Sequence, residues 1–78
     1  MLHNLKINRE FFNPVLEQTK TFEIRKNDRG FCVGDTVILN EWDNQTNQYT
    51  GRKVKIKITY MTDFEQKNNY VVFSFIML

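Results

Sequence analysis

Apolar and polar residues alternate most strictly between Arg52 and Tyr60, where Val54, Ile56, Ile58 and Tyr60 interleave with Lys53, Lys55, Lys57 and Thr59. Successive side chains on a strand point to opposite faces, so the segment predicts a half-buried strand with the apolar set, Tyr60 included, turned inward. A shorter alternation sets His3, Leu5 and Ile7 against Asn4 and Lys6 and predicts a first strand. Asn8 then serves as a helix cap, and Phe11, Phe12, Val15 and Leu16 form a helical stripe. Pro14 either kinks that helix or opens it with Asn13 as the cap; one short helix over about Arg9 to Gln18 is expected. Strand character returns at Thr21 to Lys26 and at Asp35 to Asp43, and the polar run Asn44 to Gly51 has the chemistry of a hairpin loop. Tyr70 to Leu78 is apolar on both faces apart from Ser74, which predicts the central, most buried strand.

Strand, helix and four further strands joined by short loops define a mainly β (α+β) chain. The expected architecture is one domain over residues 1–78, a small twisted sheet of about five mostly hairpin-connected strands closing into a barrel, with the helix over one end. A domain of 78 residues needs a dense core, and seven Phe, three Tyr and one Trp provide for it. The lone Cys32 cannot form an internal disulfide, and no His or Cys spacing suits zinc, so neither a metal nor a cofactor is expected. No segment approaches the roughly 18 apolar residues of a membrane span, and no signal sequence opens the chain. The expectation is a soluble, cytoplasmic protein without a membrane partner.

A net charge of +2 decides little, but its distribution does. Basic residues gather from Lys20 to Arg29 and from Arg52 to Lys57. In the first cluster the alternation places Phe22 and Ile24 in the core and Thr21, Glu23 and Arg25 together on the other face. Such a row can form internal ion pairs, or it can offer a carboxylate acceptor and a planar guanidinium fork to a ligand. In the second cluster Lys53, Lys55 and Lys57 repeat at about 6.6–7 Å, comparable to the spacing of phosphates along an extended nucleic acid. The same row on a solvated edge strand would also guard against aggregation. Gly30 and Gly34 suit turns with positive φ, Asp35 caps a turn, and His3 packs against the barrel end. Of the aromatic residues able to stack on bases, Tyr49 is the one expected to be exposed.

The residues His3-x-Leu5-Lys6, Lys20 to Arg29, Val33-Gly34-Asp35, Glu41-Trp42 and Tyr49-Thr50-Gly51-Arg52 resemble a small bacterial and phage branch of the ASCH domains, within the PUA-like superfamily. The resemblance covers nearly the whole chain, with Thr19 standing where that family usually has glycine. It implies a β-barrel that binds RNA or a modified nucleotide in a cleft around Lys20 to Arg29. Glu23 would accept from a base, Arg25 and Arg29 would contact phosphate or a base edge, Lys6 and Lys20 would supply positive potential, and Glu41 or Arg52 would orient the cluster. A rival reading follows from ASCH proteins that resemble amidohydrolases of acylated nucleosides. There Lys20 would activate the Thr21 hydroxyl, and Glu23 or Glu41 would be the accompanying glutamate. A protein-interaction module stays open as a third reading, because small barrels host many functions.

Overall fold

The computed structural model describes residues 1–78. It consists of β1 (Leu2–Asn8), α1 (Arg9–Leu16), β2 (Phe22–Lys26), β3 (Thr36–Asp43), β4 (Gln48–Thr62) and β5 (Tyr70–Met77). All five strands join one curled sheet in the order β1-β3-β4-β5-β2, so the fold is a small half-barrel with one short helix. Two neighbouring pairs are sequential hairpins, β3–β4 and β4–β5. The other two are not hairpin-connected. β1 runs parallel to β3, and β2 crosses to the far edge and pairs antiparallel with β5.

Alternation builds the core as the sequence predicts over much of its length. Leu5 and Ile7, Val37 and Leu39, and Val54, Ile56 and Ile58 are buried from three adjacent strands, and Phe12 and Val15 of α1 complete one end. Asn8 occupies the cap position of the helix in an extended conformation, and Pro14 lies inside it. The chain leaves the helix through Gln18, the left-handed residue of this corner at φ 61°. Thr19 tightens the corner by donating from its hydroxyl to Pro14 O at 3.2 Å.

Three expectations are corrected. β5 is not central: β4 holds that place, and β5 lies between β4 and β2 with Val71, Phe73 and Phe75 inward and Ile76 exposed. Tyr60 faces out, 65% exposed, because a register shift between Ile58 and Tyr60 inserts Thr59 and inverts the alternation beyond it. β4 also begins at Gln48, so the turn is shorter than the polar run and Tyr49 to Gly51 are strand residues. No helix is long and apolar enough to cross a membrane.

The edge strands β1 and β2 share no backbone ladder. Their seam is bridged by side chains, with Arg25 Nη2 donating to Lys6 O at 2.6 Å and Arg29 Nη1 donating to Asn4 O at 2.9 Å. Both carbonyls lie on the free edge of β1, where a polar group needs a partner other than the sheet.

Candidate functional site

At β2 the structure inverts the predicted faces. Glu23 points inward and is 4% exposed, whereas Phe22 and Ile24 are 44% and 54% exposed. Burying a carboxylate is unfavourable unless it is paired and hydrogen-bonded, and Glu23 is both. Lys20 Nζ donates to its Oε1, and Arg25 Nε donates to its Oε2 at 2.8 Å. Lys20 also donates to Phe22 O at 2.8 Å, which ties the ammonium to the start of the strand. Phe22 and Ile24 face out beside Ser74 and Val72, their partners in the ladder with β5.

The triad lies at the seam and lines a concavity of about 520 Å³. Lys6, Lys20 and Arg25 bring three cations to it against the single carboxylate of Glu23, and Phe11, Phe22, Ile24 and Trp42 give it apolar walls. The cations sit against rings: Lys6 Nζ is 4.1 Å from the Trp42 ring centre, and Lys20 Nζ is 4.9 Å from that of Phe22. Helix α1 positions Phe11, β3 positions Trp42, the corner between α1 and β2 supplies Lys20, and the two edge strands supply the rest. The walls were hidden from sequence reasoning because Phe11 and Phe22 look like core residues in so small a chain. An aromatic residue flanked by cations was the available signal.

The other predicted residues lie apart. Arg29 serves the seam through Asn4 O and does not line the concavity. Glu41 and Arg52 form a separate network at the helix end of the half-barrel. Arg52 Nε and Nη2 grip the two oxygens of Glu41 at 2.9 and 2.8 Å, and Thr50 donates to Oε1 at 2.6 Å. The Arg52 guanidinium holds the Glu41 carboxyl below its ordinary value of 4.5, with Thr50 adding to the effect. Arg52 also donates to Asn13 Oδ1 at 3.1 Å and stacks over Phe12, so this network fastens the helix to β3 and β4 rather than orienting Glu23. Thr21 is exposed and lines another groove that Lys20 also borders, but it shares no hydrogen bond with Lys20 Nζ.

At the opposite end His3 and Asp35 make a buried pair, Nε2 to Oδ2 at 2.8 Å, with Phe31 edge-on to the imidazole. Asp35 also accepts from Cys32 N, closing the predicted turn, and Gly30 and Gly34 have the positive φ expected of them. His3 is held in place here by packing and one carboxylate. No three His, Cys, Asp or Glu side chains converge as metal ligands.

Fold and site together define a small half-barrel domain with a cationic, aromatic-walled cleft at its seam. Residues 2–75 match the model of a family described as a domain of unknown function (DUF3850), and the chain belongs to that family. It is 45% identical over 62 residues to an uncharacterized 12.9 kDa protein in the GpA 3′ region of Escherichia phage P2. That match covers 80% of this chain and 55% of the relative, so the chain spans about half the length of the phage protein.

Proposed function

We propose that the seam cleft binds RNA, or a nucleotide-sized fragment of it, by stacking a base on its aromatic walls and pairing a phosphate with its cations. The observation that carries this reading is the lining itself: three cations and exposed aromatic rings around one carboxylate that is already paired. A base has two apolar faces for Phe22 or Trp42, and its phosphate suits Lys6, Lys20 and Arg25. The likeness of Lys20 to Asp35 to the ASCH domains of the PUA-like superfamily supports the same reading. In this arrangement Glu23 is a positioning residue for Lys20 and Arg25 rather than the reader of a base. The hydrolase reading gains nothing from the geometry, because the Thr21 hydroxyl lacks the partner that would activate it.

The test is a titration of nucleoside monophosphates followed by NMR, with Phe22→Ala and Thr21→Ala beside the wild type. Shifts confined to Phe22, Arg25, Trp42 and their neighbours are expected. Phe22→Ala should bind roughly 5- to 150-fold more weakly, as loss of a base-stacking contact implies, with an unchanged melting curve. Thr21→Ala should bind as the wild type does. No shifts at millimolar nucleotide would refute the reading, and turnover of acylated nucleosides that Thr21→Ala abolishes would replace it with the hydrolase.

A further inference from the structure

The lysine row of β4 lies outside the cleft, and its surroundings narrow what it is for. Lys53, Lys55 and Lys57 are all exposed on the outer face of the half-barrel, and none takes part in a salt bridge. β4 is hydrogen-bonded to β3 along the whole row and to β5 from Ile56 onward, with Lys55 O also accepting from Leu78 N, so an edge-guarding role can apply to Lys53 but not to Lys57. Across the sheet Lys53 faces Asn40, which in turn faces Lys6, while Lys55 faces Ile38 and Lys57 lies between Thr36 and Ile76. No carboxylate enters these rows. Like charges along one strand are unfavourable when nothing compensates them, and a polyanion is the partner that would.

The row starts at a second hollow, of about 320 Å³, lined by Asn40, Tyr49, Gly51, Arg52 and Lys53. It is produced by a bulge: between the pairs Asn40–Lys53 and Trp42–Tyr49, Glu41 alone on β3 faces Thr50 to Arg52 on β4, with Gly51 at φ 92°. Tyr49 is 59% exposed, and its ring is braced edge-on against Trp42 at 4.9 Å between centres. Trp42 belongs to the cleft as well, so the two depressions are joined through one side chain.

We infer that this outer face is a track for single-stranded nucleic acid, with a base against Tyr49 in the bulge hollow and successive phosphates on Lys53, Lys55 and Lys57. The inference deepens the cleft reading by extending the ligand from one nucleotide to a strand. Its own support is the unpaired lysine row and the hollow.

The experiment measures fluorescence anisotropy of a labelled oligouridylate and the matching oligothymidylate, each about ten nucleotides, across a salt series. Wild type is compared with Tyr49→Ala and with the triple variant Lys53→Gln/Lys55→Gln/Lys57→Gln, and uridine monophosphate binding at the cleft is followed by NMR in all three. With roughly 0.7 units of log–log salt slope per phosphate contact on single strands, the triple variant should lose about two units, whichever sugar is present. Tyr49→Ala should weaken the oligomers at unchanged slope, and monophosphate shifts at the cleft should persist in every variant. A triple variant that melts like the wild type and keeps its full slope would overturn the track, even if the cleft still takes the monophosphate. A fall in slope in a protein whose cleft ignores the monophosphate would leave the track standing and remove the cleft reading. Failure of the wild type to bind either oligomer would overturn the track outright.

Discussion

Arg25→Lys keeps the charge at the seam but removes the fork that closes it. Arg25 donates from Nε to Glu23 Oε2 at 2.8 Å and from Nη2 to Lys6 O at 2.6 Å, and its side chain is 25% exposed. A lysine ammonium on a shorter reach can serve the carboxylate or the carbonyl, but not both in the same plane. A hydrogen bond to a charged group contributes about 1.5–3 kcal/mol when sheltered from water. Partial exposure reduces this, so losing one of the two should cost about 1–2 kcal/mol. For a domain of this size each kcal/mol corresponds to roughly 4–8 °C in Tm. Urea denaturation and thermal melts measure the total, and hydrogen exchange locates it. The amides of β1 should exchange faster relative to those of β4, since β1 loses its bridge to β2 while the β3–β4–β5 ladder is untouched. A variant with wild-type urea midpoint and unchanged β1 exchange would show that the seam does not depend on the fork.

Acid should destabilise the fold in a defined window. The bond from His3 holds Asp35 at about 2, below its ordinary 3.8, with the Met1 ammonium and Cys32 N–H adding to it. A carboxylate held low stabilises the fold fully above its unfolded value and loses that contribution as pH falls, here between about pH 4 and pH 2. At about 1.4 kcal/mol per unit, and allowing for the exposed Met1 ammonium, this is at most about 2 kcal/mol, and Asp35→Asn should flatten the urea midpoint over that window. An acid limb as steep in Asp35→Asn as in the wild type would assign it to other groups. Gly51→Ala places a side chain at φ 92° with nothing within 4 Å of the added carbon, so its cost is backbone strain alone. It should lower stability by about 1–2 kcal/mol, and Gly51→Asn by less; a urea midpoint for Gly51→Ala equal to that of the wild type would show that the bulge relaxes freely.

The strands that bury a regular alternation were legible in the sequence, because period-two burial is a local property. Leu5 and Ile7, and Val54, Ile56 and Ile58, lie where the pattern places them, and Asp35 to Asp43 contains the strand read there, with Val37 and Leu39 turned inward. The errors arise where the deciding contact is distant in sequence or where the ladder is irregular. Turning Glu23 inward requires Lys20 and Arg25 to converge on it and a bridge from Arg25 to a strand 19 residues earlier. Without those partners, the other face of β2, with Phe22 and Ile24, is the natural one to bury. Tyr60 is misplaced by a single bulge that no residue type announces. β5 looks central because its outer face is apolar as well, yet that face is open beside the exposed Phe22, Ile24 and Tyr60. The charged segment was recognised as a unit, but its division into a cleft triad and a seam arginine, and the distance of both from Glu41 and Arg52, follow from sheet order.

That division bears on how the cleft can accept an anion. A guanidinium carries five N–H donors and an ammonium three. Within the protein Arg25 uses Nε and Nη2, and Lys20 uses two contacts, to Phe22 O and Glu23. Both groups therefore keep donors free of internal partners while Glu23 and the backbone fix their positions. A phosphate can then bind without breaking the triad, and the ordering of two long side chains has already occurred before the ligand arrives. If Glu23 were instead to read a base, it would share oxygens that Lys20 and Arg25 already occupy, and the bridge to Lys6 O would be disturbed with them. The seam and the cleft thus favour the same division of labour under the proposed reading: the carboxylate positions the cations, Arg25 holds the edges together, and the donors without internal partners remain for a phosphate.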